Sequence, residues 1–235
     1  MSIKLSQARG AAAAENASSD GTMRRMNRSE DASAALFFAR GSVRARSDRS
    51  DRSDRRAVAT WLFACCVLVF AMIVVGGVTR LTHSGLSITE WQPIIGALPP
   101  LTDAQWEVAF EKYRATPEYR LVNHAMDLGS FKGIFWWEYF HRLFGRLIGV
   151  AFLIPLIAFA VRRRIPAGYG SPLAAIFVLG TLQGALGWFM VQSGLVDDPR
   201  VSQFRLTAHL GLAFAILGAM LWLGHSLVRA PSPAA

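Results

Sequence analysis

Cysteine is nearly absent from this sequence, and the two that occur, Cys65 and Cys66, are neighbours. Adjacent cysteines on a helix point in different directions and cannot readily bridge. No disulfide framework is expected, and the pair reads as small apolar packing. The first 56 residues lack a compact apolar stretch, which excludes a classical cleaved signal peptide, and they are almost without aromatics. They close on a three-residue charge repeat, Arg46-Ser47-Asp48-Arg49-Ser50-Asp51-Arg52-Ser53-Asp54-Arg55-Arg56. Such a repeat cannot bury apolar surface, so it reads as disordered and is assigned no chemistry. Met23 and Met26 are alternative starts inside this tail.

What is present in quantity is apolar sequence. Hydrophobic residues make up 52% of the 235, and they fall in blocks rather than in an amphipathic pattern. Four blocks, Val58–Val78, Ile134–Val161, Pro172–Gln192 and Leu206–Val228, are long enough to cross a hydrocarbon core of about 30 Å, which takes roughly 20 helical residues. The expected fold is an all-α integral membrane protein, a four-helix transmembrane bundle with a long, partly helical outer loop. The expected organisation is a tail over 1–56, a membrane domain over 57–229 and a short C-terminal tail over 230–235, with the first span as an uncleaved signal anchor.

The formal charge of +9 invites comparison with nucleic-acid-binding proteins, but its location argues against one. Residues 1–56 carry twelve Lys/Arg against seven Asp/Glu, and Arg162-Arg163-Arg164 directly follow the second span. Basic clusters beside spans are what the positive-inside rule describes. Neither the loop between spans one and two nor the loop Ser193–Phe204 has a basic excess. Both termini are therefore expected in the cytoplasm, with these two loops outside. The first loop is too long for a connector. In it Gly76-Gly77 and the polar run to Ser87 are expected to end the first helix. Thr102-x-x-Gln105 resembles a capping box opening an amphipathic helix to about Ala115, with Pro117 as its stop. A structured lid is the expected result.

Ionisable residues inside membrane spans are costly, so each invites a functional reading. The second span holds Glu138, His141, Arg142 and Arg146. Glu138 and His141 share a helix face, with the carboxylate about 4.5 Å further out. His209 lies near the start of the fourth span, which runs in the same direction as the second. Both imidazoles fall roughly 6–10 Å below the outer interface at 1.5 Å per residue. Two histidines at one depth on parallel helices can offer axial ligands to a haem iron between them. A single membrane histidine often only packs, and zinc would need further ligands that the spans do not offer. Gly145 and Gly149 leave a groove suited to a flat macrocycle or to close packing with another helix. Arg142 and Arg146, with Arg80 and Arg205 at helix ends, are candidate partners for haem propionates; Glu138, backbone carbonyls and phosphates are alternatives. His83, His124 and His225 read as loop or interfacial groups.

These residues carry a family resemblance. Gly76-Gly77-Val78-Thr79-Arg80-Leu81-Thr82, Ser84-Gly85-Leu86-Ser87-Ile88, Trp91 with Pro93, and Pro99-Pro100-Leu101 resemble the haem A synthase family. So do Glu138-Tyr139-x-His141-Arg142-x-x-Gly145-Arg146, Gln183-Gly184-x-Leu186-Gly187-Trp188, and Pro199-Arg200-Val201-Ser202-Gln203 leading to Ala208-His209-Leu210. The likeness runs from about Gly76 to Val228, and is to the branch shared by mitochondria and many Gram-negative bacteria. It implies oxidation of the C8 methyl of haem O to the formyl group of haem A, for terminal oxidase assembly in the bacterial inner membrane. It implies an external electron donor, contact with a haem O synthase, and eight spans in two halves, each with a histidine pair. By position His141 and His209 match the substrate-haem pair, and Glu138 the carboxylate needed for activity. The second half, with its haem b, has no counterpart here. The resemblance is thus to the N-terminal half, which implies either a truncated version or a half-size protein that dimerises or meets a separate second-half chain. A non-catalytic b-type haem-binding protein and an inactive fragment are the alternatives.

Overall fold

The structure is a computed structural model of the chain, and it describes residues 50–92, 95–196 and 198–229. These lie almost wholly in one unit, Ser53–Pro231. The expected tail up to residue 49 and the residues from 230 onwards lie outside the described residues. Four long apolar helices correspond to the four expected spans: α1 Ser50–Leu81, α4 Leu128–Val161, α5 Gly170–Gln192 and α6 Gln203–Arg229. Two short helices, α2 Asp103–Arg114 and α3 Pro117–Leu121, lie in the loop between α1 and α4. No strand occurs among the described residues. The chain is a multi-pass membrane protein of all-α class.

The helix ends follow local chemistry. α2 opens on the expected capping box, with the Thr102 side chain accepting from the Gln105 N–H and the Gln105 side chain accepting from the Thr102 N–H. Pro117 both ends that helix and begins α3, where its missing N–H costs nothing at the first helical position and Thr116 supplies the cap. Asp127 caps α4; accepting the Ser130 N–H holds its carboxyl below the usual carboxylate range. α1 departs from expectation at its start, and it ends within the polar run expected to stop it. It begins at Ser50, inside the charge repeat, where Asp51 and Arg55 stand at helical i,i+4 spacing. It passes through Gly76-Gly77 and stops at Leu81. The stop is a left-handed residue, His83 (φ 51°), with the Ser84 N–H reaching back to the Thr79 carbonyl. Arg163 (φ 53°) ends α4 in the same way, with Arg164 N–H bonded to the Phe159 carbonyl.

α4, at 34 residues, is about 51 Å long, well beyond the hydrocarbon thickness. Its first turns therefore stand clear of the bundle and carry an aromatic cap. Trp106, Phe110 and Tyr113 of α2 pack there on Phe131, Phe135 and Tyr139 of α4. At the opposite end lies an aliphatic core. Val58, Leu62 and Cys65 of α1 meet Phe152 of α4, Leu173 and Ile176 of α5, and Met220 and Leu223 of α6. Cys65 and Cys66 are free and buried, as packing residues should be. Pro155 lies within α4 and leaves the carbonyl four residues earlier, Ala151, without its helical donor. The Trp61 indole N–H of α1 donates to that carbonyl at 3.1 Å, while its ring packs on Phe152 and Phe159. Arg164 closes this end by binding Asp54 at 2.6 Å.

Candidate functional site

Between the two cores, the helices bring the histidines together. His141 of α4 and His209 of α6 lie within electrostatic reach of each other. Each ring rests against a glycine on a neighbouring helix. A Cβ on Gly76 of α1 would lie 3.1 Å from His141 Cε1, and one on Gly187 of α5 would lie 2.9 Å from His209 Cε1. The second distance is shorter than any Cβ contact tolerates. The Nδ1 atoms of both imidazoles are enclosed and have no hydrogen-bond partner, as is Gln183 Oε1. Gln183 Nε2 donates to the His209 carbonyl at 3.0 Å, tying α5 to the α6 turn that carries the ligand candidate. A buried polar atom without a partner costs about 1–3 kcal/mol. Three such atoms lie around one pair of rings, the densest group of unpartnered buried side-chain atoms among the described residues.

Glu138 lies one turn nearer the cap and is 2% exposed. Its Oε2 accepts from the Ser87 hydroxyl at 2.7 Å and the Ile88 N–H at 2.8 Å; its Oε1 accepts from Arg142 Nη2 at 2.5 Å. Arg142 then reaches the carbonyls of Ile88 (2.8 Å) and Glu90 (3.1 Å), and Arg146 that of Gln92 (3.0 Å). The segment 84–92 is thereby strapped to α4. The same strap is held to α5 and the turn beyond it. Leu86 presses on Gly194, where a Cβ would come within 2.8 Å, and Trp91 stacks on Trp188 at 6.0 Å with Arg142 above the indole of Trp188. The strap thus crosses the cap end of the bundle, over the level of the two histidines.

The four arginines divide. Arg142 and Arg146 bind strap carbonyls, Arg142 also Glu138, and Arg205 donates to the Phe189 carbonyl at 2.8 Å with its guanidinium 3.7 Å over the Phe189 ring. Arg80 is exposed at the end of α1. His83, His124 and His225 are exposed and remote from the pair. Gly145 faces Met72 of α1, 3.4 Å from a Cβ, so at that position close helix packing accounts for the glycine; nothing lies within 4 Å of a Cβ on Gly149. Sequence reasoning did not single out Gly76, Gly187, Gln183 or Ser87 as site residues. The spacing of Gln183 and Gly187, one helical turn apart on one face, is the signal that could have found two of them.

The donor chemistry is restricted. No group of three or more His, Cys, Asp or Glu able to hold a metal occurs among the described residues. Two imidazoles that form no three-ligand group with any Cys, Asp, Glu or further His suit a metal whose other ligands arrive with it.

Comparison with known proteins agrees with this chemistry. Residues 59–235 match the model of a family described as cytochrome oxidase assembly protein. The chain is 60% identical over 175 residues to the haem A synthase of Nitrosospira multiformis, covering 74% of this chain and 49% of that protein. It is 61% identical over 171 residues to the haem A synthase of Nitrosomonas eutropha (73% and 48%), and 57% identical over 177 residues to that of Paramagnetospirillum magneticum (74% and 50%). The chain spans about half the length of the curated relatives it matches. No solved structure gives a significant match to it.

Proposed function

The chain belongs to the cytochrome oxidase assembly protein family, and from that premise we propose that it forms the substrate-haem half of a haem A synthase, an oxidoreductase of a bacterial membrane. The observation that carries the reading is the pair of neighbouring imidazoles, each with an enclosed nitrogen lacking a partner and each backed by a glycine. His141 and His209 would hold the iron of haem O as two axial ligands, which is the donor set that a four-nitrogen macrocycle leaves to be filled. When bound, the haem supplies the iron and the C8 methyl that is oxidised to a formyl group.

The chain's own residues position and enclose. Gly76 and Gly187 leave room for the rings, and Gln183 holds the backbone of His209. Glu138 fixes the strap through Ser87, Ile88 and Arg142, so the roof of the site and a carboxylate one turn from His141 are set by the same contacts. That carboxylate is placed to hold a proton or to stabilise positive charge at the haem edge. Arg80, exposed at the cap end, is the arginine best suited to a propionate emerging towards water. Arg142, Arg146 and Arg205 act on the periphery through the strap and the end of α5. The basic residues Arg162, Arg163 and Arg164 at the other end support an orientation with both termini in the cytoplasm and the cap outside. An electron donor on the cap side, contact with a haem O synthase, and a second, haem-b-binding half belong to the same proposal.

The test is expression in a strain that makes haem O but lacks haem A synthase, with extracted haems identified by chromatography and mass. Haem A is the expected product, lost in Glu138→Ala and His141→Ala; unchanged product in either variant overturns the site assignment. The other outcome is a haem-binding module without catalysis. Bound, redox-active haem with no formyl product would establish that reading instead.

A further inference from the structure

Glu118, in α3, is a buried carboxylate that the histidine site does not use. It is 6% exposed beneath the aromatic cap, and its Oε2 is enclosed without a hydrogen-bond partner. The groups around it can be named element by element. α2 contributes the Tyr113 hydroxyl, directed at the Glu118 carboxyl and accepting from Asn123 Nδ2 at 2.7 Å. α4 contributes the carboxylate of Glu138, close enough to be felt electrostatically. The nearby cations are engaged elsewhere or lie at the surface. Arg114 pairs with Glu111 at 2.7 Å and lies over the rings of Phe110 and Tyr119. Arg120 and His124 line an open surface cleft together with Glu111, Arg114, Ala115 and Tyr119.

An enclosed ionised carboxylate without a cation is costly, and taking up a proton removes the cost. We propose that Glu118 is a proton-binding site built into the cap, exchanging one proton with the water on that side. Tyr119 and Arg120, which follow Glu118 directly, line the surface cleft, so the carboxyl lies one residue from groups that meet water. Only protons move; no electron and no bond to carbon is involved. The inference is independent of what the histidines bind.

Burial pushes the Glu118 carboxyl up to about 7, the Tyr113 hydrogen bond pulls it partly back, and Glu138 adds like-charge repulsion. Infrared pH titration of the full chain in lipid nanodiscs reads this directly. A protonated-carboxyl band is expected to disappear with a midpoint near that value and to be missing in E118Q. Its midpoint should fall in E138Q, which removes the like charge, and rise in Y113F, which removes the hydrogen bond. A second readout is stability. With a folded-state affinity above the ordinary 4.5, the contribution of Glu118 is complete below that pH and is lost as pH rises towards 7; E118Q removes this decline. A neutral-pH spectrum unaltered by E118Q means an ionised Glu118 and overturns the proposal. Should E118Q not fold, the opposite shifts in E138Q and Y113F carry it, and a band that neither variant moves overturns it.

Discussion

The two ends of the bundle are built from different materials. The end away from the long loop is closed by Val58, Leu62, Leu173, Met220 and Leu227, all at most 2% exposed, with no buried ionisable residue among them. At the cap end the buried set includes Thr79, Ser84, Ser87, Thr116, Glu118 and Glu138, which are all the buried polar and charged residues among those described. Aliphatic burial is non-directional and tolerant, whereas a buried polar network holds only if each member finds its partner. One end therefore supplies a packed anchor, and the other supplies fixed geometry and charge. The histidines lie where the first gives way to the second. If this division is real, the two ends should respond separately to substitution.

The largest separable effect is expected from Glu138→Ala. It removes three hydrogen bonds and leaves Arg142, whose side chain is 16% exposed, without its carboxylate. Breaking a buried pair from one side costs about 3–5 kcal/mol. That loss should fall on the cap: limited proteolysis should open the segment 84–92 while helical circular dichroism of the bundle stays at the wild-type level. Loss of bundle helicity in the same variant would mean that the two ends are one cooperative unit.

The complementary break is Trp61→Phe at the aliphatic end. The ring contacts with Phe152 and Phe159 survive in part, but the Ala151 carbonyl freed by Pro155 loses its donor. An unsatisfied buried carbonyl costs about 1–3 kcal/mol, and it should appear as a lower thermal midpoint with haem affinity unchanged. Equal loss of haem binding would erase the distinction between anchor and site.

The four spans are legible in sequence because an apolar block of membrane length is a signal along the chain that needs no partner. The α2 capping box is legible for the same reason, since caps are local. What escapes is contact between distant segments. The single role assigned to Gly76-Gly77 as a helix end missed that Gly76 is a packing surface for an imidazole on another helix. Arg142 and Arg146 could be named as partners for propionates, carboxylate or carbonyls, but only the folded strap places carbonyls within their reach. The helical start at Ser50 was obscured in the same way: a three-residue charge repeat reads as polar and unstructured, while Asp54 finds its partner, Arg164, 110 residues away.

The finest comparison is within α5, between two glycines on either side of Ala185 and Leu186. A Cβ on Gly187 would sit 2.9 Å from His209 Cε1 and 3.4 Å from its Nδ1, whereas nothing lies within 4 Å of a Cβ on Gly184. Helix propensity favours alanine over glycine by roughly 1 kcal/mol at both positions. Gly184→Ala should therefore leave haem binding alone and raise stability slightly. Gly187→Ala gains the same propensity but must turn or displace the imidazole, and Gln183 holds the backbone that carries it. A loss of about tenfold in haem affinity, equivalent to about 1.4 kcal/mol, is expected with an altered axial-ligand spectrum. Gly76→Ala, with its 3.1 Å approach to His141, should show a weaker form of the same change. A titration in which all three variants bind alike would show that the rings have slack, and that the glycines serve helix packing rather than the geometry of the pair.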